Sequence, residues 1–272
     1  MKRYLFAACL LSLLVACNCQ PKEDIVAIHT PYGVIRVKLY NKTTQHHDNF
    51  IKLVQSRFFD STLFHRIIPG FMIQGGDPTS RHAKPSQLLG DGDTNYRLPA
   101  EFVEEYIHKR GALAAARESD DVNPNKESSA SQFFIVQGHK FTDAGLDSAE
   151  QKRERYTRSY LLIALLKKSN DTLTLKEFRQ YMNKRDIPSI NRILYAHRTE
   201  VDAEYTKSKP WKLTPQQRQV YKTLGGAPHL DGAYTVFGEV ISGMDVVDKI
   251  AAAKRDTNDR PLKDLRMWMK VE

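Results

Sequence analysis

The stretch from Phe64 to Asp77 holds the side chains best suited to chemistry in this sequence. Arg66 lies within it, and a guanidinium group is permanently charged and presents its N–H donors in a rigid, planar fork. Large apolar side chains and one amide follow within a few residues: Phe71, Met72 and Gln74. A fixed donor of this kind stabilises charge by position alone, without a nucleophile. The sequence has no Cys/His pattern with zinc spacing, and we expect neither a metal nor a cofactor.

The chain is basic, and its charge is unevenly distributed. It has 272 residues, 41% of them hydrophobic, with 41 Lys and Arg against 32 Asp and Glu and a net charge of +9. This composition is typical of a soluble globular protein and argues against disorder or a fibrous repeat. The segment from Thr142 to Pro228 carries 17 basic and 10 acidic residues, which is most of the excess. Such a segment suggests an acidic partner, although a solvated helical surface would show the same pattern.

The first sixteen residues have the pattern of an export signal. A short positive start precedes an apolar run from Tyr4 to Ala16, which is too short to span a membrane. The run ends in Leu-Val-Ala-Cys, and this end resembles the lipobox of bacterial lipoprotein precursors. The resemblance implies cleavage after residues 1–16, acylation of Cys17, and a short tether over residues 17–24. We therefore expect a lipid-anchored protein of the bacterial cell envelope, on the outer membrane facing the periplasm; an ordinary secretion signal is the alternative.

Cysteine usage excludes an intramolecular disulfide in the expected mature chain. Of the three cysteines, Cys9 would leave with the signal and Cys17 would carry lipid. Only Cys19 then remains as a thiol, and one thiol cannot pair within the molecule. The fold must therefore be stabilised by its core.

The sequence that follows the tether is strand-like. Residues 24–40 predict a β-hairpin, because apolar and polar residues alternate in the second arm and Pro and Gly mark the turn. Residues 43–56 predict a helix that Thr44 can cap. Short apolar strands punctuated by Gly and Pro then recur through Ile135, which favours a closed or nearly closed antiparallel barrel. The apolar face of the predicted helix consists of Phe50, Leu53 and Val54.

The sequence changes from strand-like to helical after Phe141 and returns to strand-like near Pro228. Strand-like residues resume at 234–237, so we interpret residues 142–226 as a helical insertion in one domain formed by residues 25–141 and 227–272. A short helix is predicted over 244–252. The insertion contains four predicted helices, over 148–168, 174–184, 189–207 and 214–224, three of them with capping-box pairs at Ser148/Gln151, Thr174/Glu177 and Thr214/Gln217.

Three motifs occur in a fixed order along the chain: Phe64-His-Arg-Ile-Ile-Pro-Gly-Phe-Met-Ile-Gln-Gly-Gly-Asp77, Ser131-Gln-Phe-Phe-Ile135 and Leu230-Asp-Gly-Ala-Tyr-Thr-Val-Phe-Gly238. They resemble the signatures of cyclophilin-type peptidyl-prolyl cis–trans isomerases. The resemblance covers 25–135 and about 228–271. It implies a mainly β fold, a cyclophilin-like closed antiparallel β-barrel with flanking helices, here with an inserted α-helical subdomain. It also implies isomerisation of X–Pro bonds.

The same resemblance implies roles for individual residues. Arg66 would stabilise the twisted X–Pro bond, and Gln74 would hold its guanidinium by hydrogen bonding. Phe133, which alternates with Phe134, is assigned to the core. His65 should point to the other side of the strand from Arg66 and is interpreted as a structural histidine with satisfied hydrogen bonds. The substrate groove would be lined by Phe71, Met72, Ala116, Arg117, Gln132, Phe134, His229, Leu230 and Tyr234.

The chain departs from the familiar eukaryotic pattern at several of these positions. Arg117 stands where those members have Asn, on an edge that binds the substrate largely through main-chain groups. Tyr234 replaces a histidine, and its ring can still pack while its hydroxyl donates. His229 replaces a tryptophan, which removes a large ring that contacts cyclosporin in the family. Residues 80–85 take the place of the usual Gly-rich loop.

The insertion begins after the strand of Phe134 and ends before the segment of Leu230, so we expect it beside the groove. There it could grip client chains, dock on a partner, face lipid headgroups, or have no binding role. We expect a barrel with a short turn in place of residues 142–226 to remain active on small peptides. The predicted function is folding catalysis on proline-containing envelope proteins, with no nucleic-acid partner. The alternative is a non-catalytic chaperone or assembly module that uses the groove and the basic insertion.

Overall fold

The computed structural model describes residues 24–120, 122–208 and 210–272. The predicted signal, the lipidated Cys17 and the tether up to residue 23 lie outside the described residues. The strands are β1 (Ile25–Thr30), β2 (Gly33–Leu39), β3 (Phe64–Ile68), β4 (Met72–Gly75), β5 (Arg97–Leu98), β6 (Ala112–Ala115), β7 (Ser128–Ser129), β8 (Phe133–Val136), β9 (Val236–Ser242) and β10 (Trp268–Val271). The helices are α1 (Thr44–Gln55), α2 (Asp143–Lys168), α3 (Thr172–Lys184), α4 (Ile187–Ala196), α5 (Arg198–Lys207), α6 (Pro215–Thr223) and α7 (Met244–Ala251), with 3-10 helices at Pro78–His82 and Pro228–Leu230.

Eight of these strands form one antiparallel sheet in the order β10-β1-β2-β9-β6-β8-β4-β3. Strands β1 and β2 form the predicted hairpin, with Ile25 opposite Lys38 and Thr30 opposite Gly33. The register shifts once between β2 and β9 and once between β6 and β9. Such irregularities bend a strand and increase its twist, so they help this sheet to curl.

The two edge strands of the sheet, β3 and β10, do not pair with each other in the described part of the chain. The residues beside them meet at an isolated bridge between Leu63 and Arg266. The Ser61 N–H also donates to the Met267 carbonyl over 3.0 Å. The sheet is therefore a curled antiparallel sheet with helices, and the expected closed barrel is not confirmed.

The curled sheet separates two apolar regions. The larger core lies inside the curl, where α1 and α7 contribute Phe50 and Val247 against strand residues such as Ile73 and Ile135. Successive residues of a strand point to opposite faces. Phe133 therefore lies in this core, as expected, and the next residue of β8 lies in the smaller cluster on the other face.

Helix α1 lies where it was predicted, but its N-terminus is held differently. Thr43 is the N-cap residue and makes no side-chain capping bond. The carboxylate of Glu101 instead accepts hydrogen bonds from the backbone N–H groups of Gln45 (3.1 Å) and His46 (3.0 Å). The expectation that Thr44 caps this helix is therefore wrong, because a carboxylate far along the chain satisfies the free N–H groups.

Helix α2 begins earlier than its predicted capping box. The hydroxyl of Thr142 caps it by accepting from the Gly145 N–H. Ser148 lies inside the helix and donates to the Ala144 carbonyl over 2.9 Å, so its assignment as a cap is wrong. Five residues of the helix therefore precede the predicted start.

The later helices of the insertion show one further wrong cap and one correct one. Asp171, not Thr174, caps α3 by accepting from the Thr174 N–H over 3.0 Å. The helix predicted over 189–207 is two helices, α4 and α5, which meet at His197. The capping box of Thr214 and Gln217 at the start of α6 is confirmed.

The insertion is packed around two separate cores. We call residues 142–155 and 211–226 the near part and residues 156–210 the far part. The near part shares its core with Ile107, which belongs to the sheet domain. The far part has a core of its own residues alone: Leu162, Leu166, Phe178, Ile190, Ile193 and Val201.

Candidate active site

Residues that lie directly opposite one another on neighbouring strands form the centre of the predicted substrate groove. Arg66 of β3 is opposite Gln74 of β4, Gln74 is opposite Phe134 of β8, and Phe134 is opposite Ala114 of β6. Directly opposite residues point to the same face of a sheet. The register therefore places a cation, an amide and an aromatic ring side by side, outside the core.

The guanidinium of Arg66 is held from two sides and stays accessible. Its Nη1 donates to Oε1 of Gln74 over 3.4 Å. Its Nε lies 3.8 Å from a carboxylate oxygen of Asp259, and 42% of the side chain is exposed. Asp259 was not predicted from the sequence, because it lies almost 200 residues away in a loop without a recognisable motif. Arg66 is thus a charged donor with free N–H groups at the edge of the groove.

Gln74 is itself oriented by a second amide. Its Nε2 donates to Oε1 of Gln132 over 3.0 Å. The Nε2 of Gln132 in turn donates to the carbonyls of Gly90 (2.7 Å) and Gly92 (2.6 Å). This chain of donors fixes Gln74 with its oxygen towards Arg66. Gln132, predicted to contact substrate, is 6% exposed and its amide is used inside the protein.

An apolar slot lies next to this row. Met72, Phe134 and Leu230 are its buried members, and Phe71 and Tyr234 pack against them while partly buried. The ring of Tyr234 stands edge-on to Phe134, with centroids 5.9 Å apart and planes at 82°. Apolar walls of this kind exclude water from a small apolar ring.

His229 forms part of the rim of the slot. Its ring lies 5.4 Å from that of Phe71, with the planes at 34°. The side chain is exposed. It therefore occupies the position predicted for it beside the apolar walls.

Arg117 lies at the groove, but its side chain points away from solvent. The side chain is only 4% exposed and forms an ion pair with Asp120 over 2.6 Å. Its Nε donates to the Ala233 carbonyl over 2.6 Å, and its charge lies 4.6 Å above the ring of Tyr234. Arg117 therefore supports Tyr234 from behind, through charge and ring contact.

Ala116, the remaining predicted groove residue, packs against the apolar slot. Its N–H donates to the Gln132 carbonyl over 2.9 Å, and its carbonyl accepts from the Ser129 N–H over 2.8 Å. Both main-chain groups are thus used within the protein. The side chain contributes only its methyl group to the slot.

A buried polar network lies behind the slot and was not predicted. Oδ1 of Asp231 accepts from the backbone N–H of His108 (2.8 Å) and lies 2.9 Å from the Nδ1 of that residue. Oδ2 accepts from the Tyr221 hydroxyl over 2.6 Å. Burial, together with the Asp231 carboxylate, raises the pKa of Tyr221 far above its ordinary value. Asp231 belongs to the third sequence motif, which was the one available signal for this network.

His65 is buried, as expected, but its hydrogen bonds are not satisfied. It is 3% exposed, and neither ring nitrogen has a hydrogen-bond partner among the described residues. Loss of solvation lowers the pKa of His65 to about 4. The ring is therefore neutral at pH 7 and does not share in the chemistry of the neighbouring Arg66.

The described residues contain neither a metal-binding cluster nor a membrane-spanning helix. They contain no group of three or more His, Cys, Asp or Glu side chains placed to hold a metal ion. Within the same residues, no helix is both long and apolar enough to cross a membrane.

A family model and named relatives match most of this chain. The model described as "Cyclophilin type peptidyl-prolyl cis-trans isomerase/CLD" matches residues 25–155 and 211–271. A "Putative peptidyl-prolyl cis-trans isomerase" of Staphylococcus aureus is 27% identical over 248 residues, 90% of each chain. A "Putative bifunctional phosphatase/peptidyl-prolyl cis-trans isomerase" of Streptococcus pyogenes is 27% identical over 243 residues, and there the match spans 88% of this chain but 37% of the relative.

The fold also matches a solved structure. It is a cyclophilin-type peptidyl-prolyl cis–trans isomerase of Cryptosporidium parvum, solved in the presence of the dipeptide Ala-Pro. The match has a TM-score of 0.51 and 20% sequence identity, and it covers 91% of this chain and 98% of the other. At this identity the likeness shows a common fold.

Proposed function

The chain belongs to the family of cyclophilin-type peptidyl-prolyl cis–trans isomerases, an isomerase family, and on that premise we propose that it isomerises X–Pro bonds at the groove beside Arg66. The observation that carries the proposal is the pairing of an accessible guanidinium with a slot of apolar side chains. Arg66 is held by Gln74 and Asp259, and the slot is built around Met72 and Phe134.

The physical task is to lower the barrier to rotation about one amide bond. An X–Pro bond rotates over roughly 18–20 kcal/mol and takes tens to hundreds of seconds unaided. At the twisted state, amide resonance is lost and the prolyl nitrogen has a free lone pair. A donor fixed near that nitrogen binds the twisted state better than either planar state, and this difference accelerates rotation. Each tenfold gain in rate requires about 1.4 kcal/mol.

The groove divides this task between its two components. The guanidinium of Arg66 would donate to the prolyl nitrogen, because a guanidinium is permanently charged and presents its donors in a planar fork. The slot would hold the proline ring, since Met72, Phe134 and Leu230 are buried apolar side chains. The related Cryptosporidium protein was solved in the presence of Ala-Pro, and we propose that a prolyl segment of a polypeptide occupies the apolar slot of this protein.

Substitution of Arg66 tests the proposal. Arg66→Ala should lower kcat/KM on a prolyl tetrapeptide at least tenfold, because the donor acts mainly in the twisted state. Arg66→Lys should also fail, because a point charge lacks the planar fork. Both can be measured in a protease-coupled assay, with thermal unfolding to show that the fold is retained.

Arg36→Ala is a matched control for this test. Arg36 is an arginine of the same sheet, its side chain is 45% exposed, and it pairs with Glu272. The control should keep the activity of the parent protein. An Arg66→Ala protein that turned over the peptide like the parent would contradict the catalytic assignment.

We also propose that the protein is lipid-anchored at Cys17 in the bacterial envelope and acts there on proline-containing proteins. The support is the lipobox-like sequence at the end of the predicted signal, which lies outside the described residues. Two acyl chains suffice for stable anchoring. Mass spectrometry of the mature N-terminus should show an acylated cysteine, and an unmodified terminus at another residue would contradict the anchor.

An acidic partner for the insertion is a separate proposal. Its support is the charge of the far part, where exposed basic side chains follow one another at the end of α2 and along α3: Lys167, Lys168, Lys176, Arg179 and Lys184. Exposed charges are screened by salt beyond about 10 Å at 0.1 M ionic strength. Binding of an acidic peptide should therefore weaken from 50 mM to 300 mM salt and with Lys176→Gln/Arg179→Gln/Lys184→Gln. Salt-independent binding would contradict the proposal.

A further inference from the structure

The wall of the proline slot that follows the insertion is a short, irregular segment. It runs from Pro228 to Tyr234, starts as one turn of 3-10 helix, and supplies the slot with Leu230 and Tyr234. Its own backbone hydrogen bonds are short-range: the Leu230 N–H donates to the Ala227 carbonyl over 3.0 Å, and the Tyr234 N–H donates to the Leu230 carbonyl over 3.2 Å. The position of the segment relative to the sheet therefore depends on its long-range contacts, among them those of Asp231, which lies between the two slot residues.

Asp231 is buried and held from two sides by the near part of the insertion. It is 4% exposed. Its Oδ2 accepts from the hydroxyl of Tyr221 on α6 over 2.6 Å. Its backbone carbonyl accepts from the guanidinium of Arg153 on α2. A buried carboxylate is costly unless hydrogen bonds satisfy it, so these partners fix the segment in one place.

The other carboxylate oxygen connects Asp231 to the aromatic walls. Oδ1 lies 2.9 Å from the Nδ1 of His108, which is fully buried. The imidazole lies parallel to the ring of Phe134, with centroids 6.0 Å apart and planes at 13°. It also stands edge-on to Tyr234 at 6.4 Å. One carboxylate therefore orients a ring that packs directly behind two walls of the slot.

Among the described residues, Asp231 is the polar group that contacts the His108 ring. Its Nε2 is buried and has no hydrogen-bond partner among the described residues. A buried, unpaired nitrogen does not orient a ring, so the orientation comes from the Nδ1 contact and from packing. Removal of the Tyr221 hydroxyl would take the donor from Oδ2 of Asp231 and leave the carboxylate held through Oδ1 by His108.

We propose that Tyr221, Asp231 and His108 form a positioning relay through which the near part of the insertion sets the walls of the proline slot. This inference rests on the proposed function and adds three positioning residues to it. The apolar walls hold the proline ring in its planar and twisted states alike, so their displacement weakens binding of both. Loss of the relay therefore raises KM, whereas loss of Arg66 lowers kcat.

Tyr221→Phe tests the relay, because it removes one hydroxyl and keeps the ring in its core. Tyr205→Phe is the matched control: Tyr205 is a buried tyrosine of the far part whose ring packs against Arg158. We expect Tyr221→Phe to raise KM for a prolyl tetrapeptide about fivefold or more, the scale of one lost hydrogen bond to a charged group, with kcat within about twofold. Tyr205→Phe should change neither.

A binding measurement separates this inference from the proposed function. Titration of each variant with an Ala-Pro-containing peptide, followed by NMR, gives a Kd without turnover. We expect the Kd to rise with KM in Tyr221→Phe, and the ring resonances of Phe134 and Tyr234 to shift in that variant alone. If Tyr221→Phe weakens peptide binding but the parent protein does not isomerise the peptide, the proposed function is refuted and the relay is kept.

Two results would overturn the relay. One is a folded Tyr221→Phe protein with the parent's KM, Kd and ring resonances. The other is a Tyr221→Phe protein whose kcat falls while KM is unchanged. Asp231→Asn provides a second variant, since an amide cannot reproduce both carboxylate contacts, and a parent-like KM in that folded variant would count against the relay as well.

Discussion

The near and far parts of the insertion have a similar helical, basic character but different contacts with the sheet domain. Both are helical and basic, and both have buried apolar cores. The near part shares its core with Ile107 of the sheet domain and contacts Asp231 behind the slot. The core of the far part contains only residues from 162 to 201 and their immediate helical neighbours. The insertion thus has two parts, of which one contacts Asp231 behind the slot and the other has a core of its own.

The family match divides the insertion at the same place. It continues through residue 155 and resumes at residue 211. The two ends are close in space, because the guanidinium of Arg153 lies 4.4 Å above the ring of Trp211 and Glu150 accepts from the Leu213 N–H over 3.0 Å. The family match therefore extends past the change from strand-like to helical sequence near Phe141.

The largest expected difference is in kcat/KM between a protein that lacks the far part and a protein that lacks the whole insertion. Replacement of residues 156–210 by a short linker should leave kcat/KM on a prolyl tetrapeptide within about twofold, because the ends already lie together and a short loop closes at small entropic cost. Replacement of residues 142–226 also removes Arg153 and Tyr221. We expect it to lower kcat/KM at least tenfold, in contrast to our expectation from the sequence alone.

Both deletions can be compared by the same assay and by NMR spectra that report the fold. Equal activity of the two deletion proteins would show that the near part does not build the slot. Loss of activity in the 156–210 deletion, with a native spectrum of the sheet domain, would show that the far part contributes to catalysis on small peptides.

Substitution of one buried leucine in each core should show how the near and far parts differ in their effect on KM. Leu146 and Leu162 both lie on α2 and are fully buried, one in each core. Leu→Ala at such sites costs about 2–5 kcal/mol of unfolding free energy. Leu162→Ala should speed amide hydrogen exchange in α3–α5 and leave KM unchanged, whereas Leu146→Ala should raise KM. An equal rise in KM in both variants would show that the near and far parts do not differ in their effect on substrate binding.

Lowering the pH should reduce the stability of the sheet domain more than that of the far part. The pKa of His65 is lowered to about 4 by burial, while an unfolded histidine titrates near pH 6.5. The unfolded state therefore binds a proton that the folded state excludes, and stability falls as the pH drops from about 6.5 to 4, by up to ~3 kcal/mol.

His65→Phe tests this effect, because the ring nitrogens have no hydrogen-bond partner in the described part of the chain. Urea unfolding at pH 7 and pH 5 should show a smaller loss of stability in the variant, by roughly 2 kcal/mol. Identical pH dependence in parent and variant would show that His65 is not the group responsible. Hydrogen exchange at the two pH values would show which part of the chain responds.

The groove residues were predicted from the resemblance of three motifs to the family, and strand register explains why the fold brings several of them together. Once Arg66, Gln74 and Phe134 are placed on neighbouring strands, the alternation of side chains brings them to one face. The same alternation correctly sent Phe133 to the core. The capping box at Thr214 was equally local, since both partners lie within four residues.

The remaining features depend on contacts between distant residues. Glu101 caps a helix that starts more than 50 residues before it, and Asp259 reaches Arg66 from the C-terminal region. The relay joins His108, Tyr221 and Asp231 from three segments. No local pattern specifies such pairs, because they arise only when the tertiary fold brings the segments together. The alternation of residues in the strands also does not show whether the two edge strands of a curled sheet hydrogen-bond to each other and close a barrel.

Exchange NMR on a prolyl peptide tests the central claim most directly, since it detects rotation of the X–Pro bond without a coupling protease. A small amount of the parent protein should produce exchange cross-peaks between the cis and trans proline signals of an Ala-Pro-containing peptide. The Arg66→Ala protein should bind the peptide with little change and give greatly weakened cross-peaks. A parent protein that binds the peptide but gives no cross-peaks, or an Arg66→Ala protein that gives them at full intensity, would contradict the account.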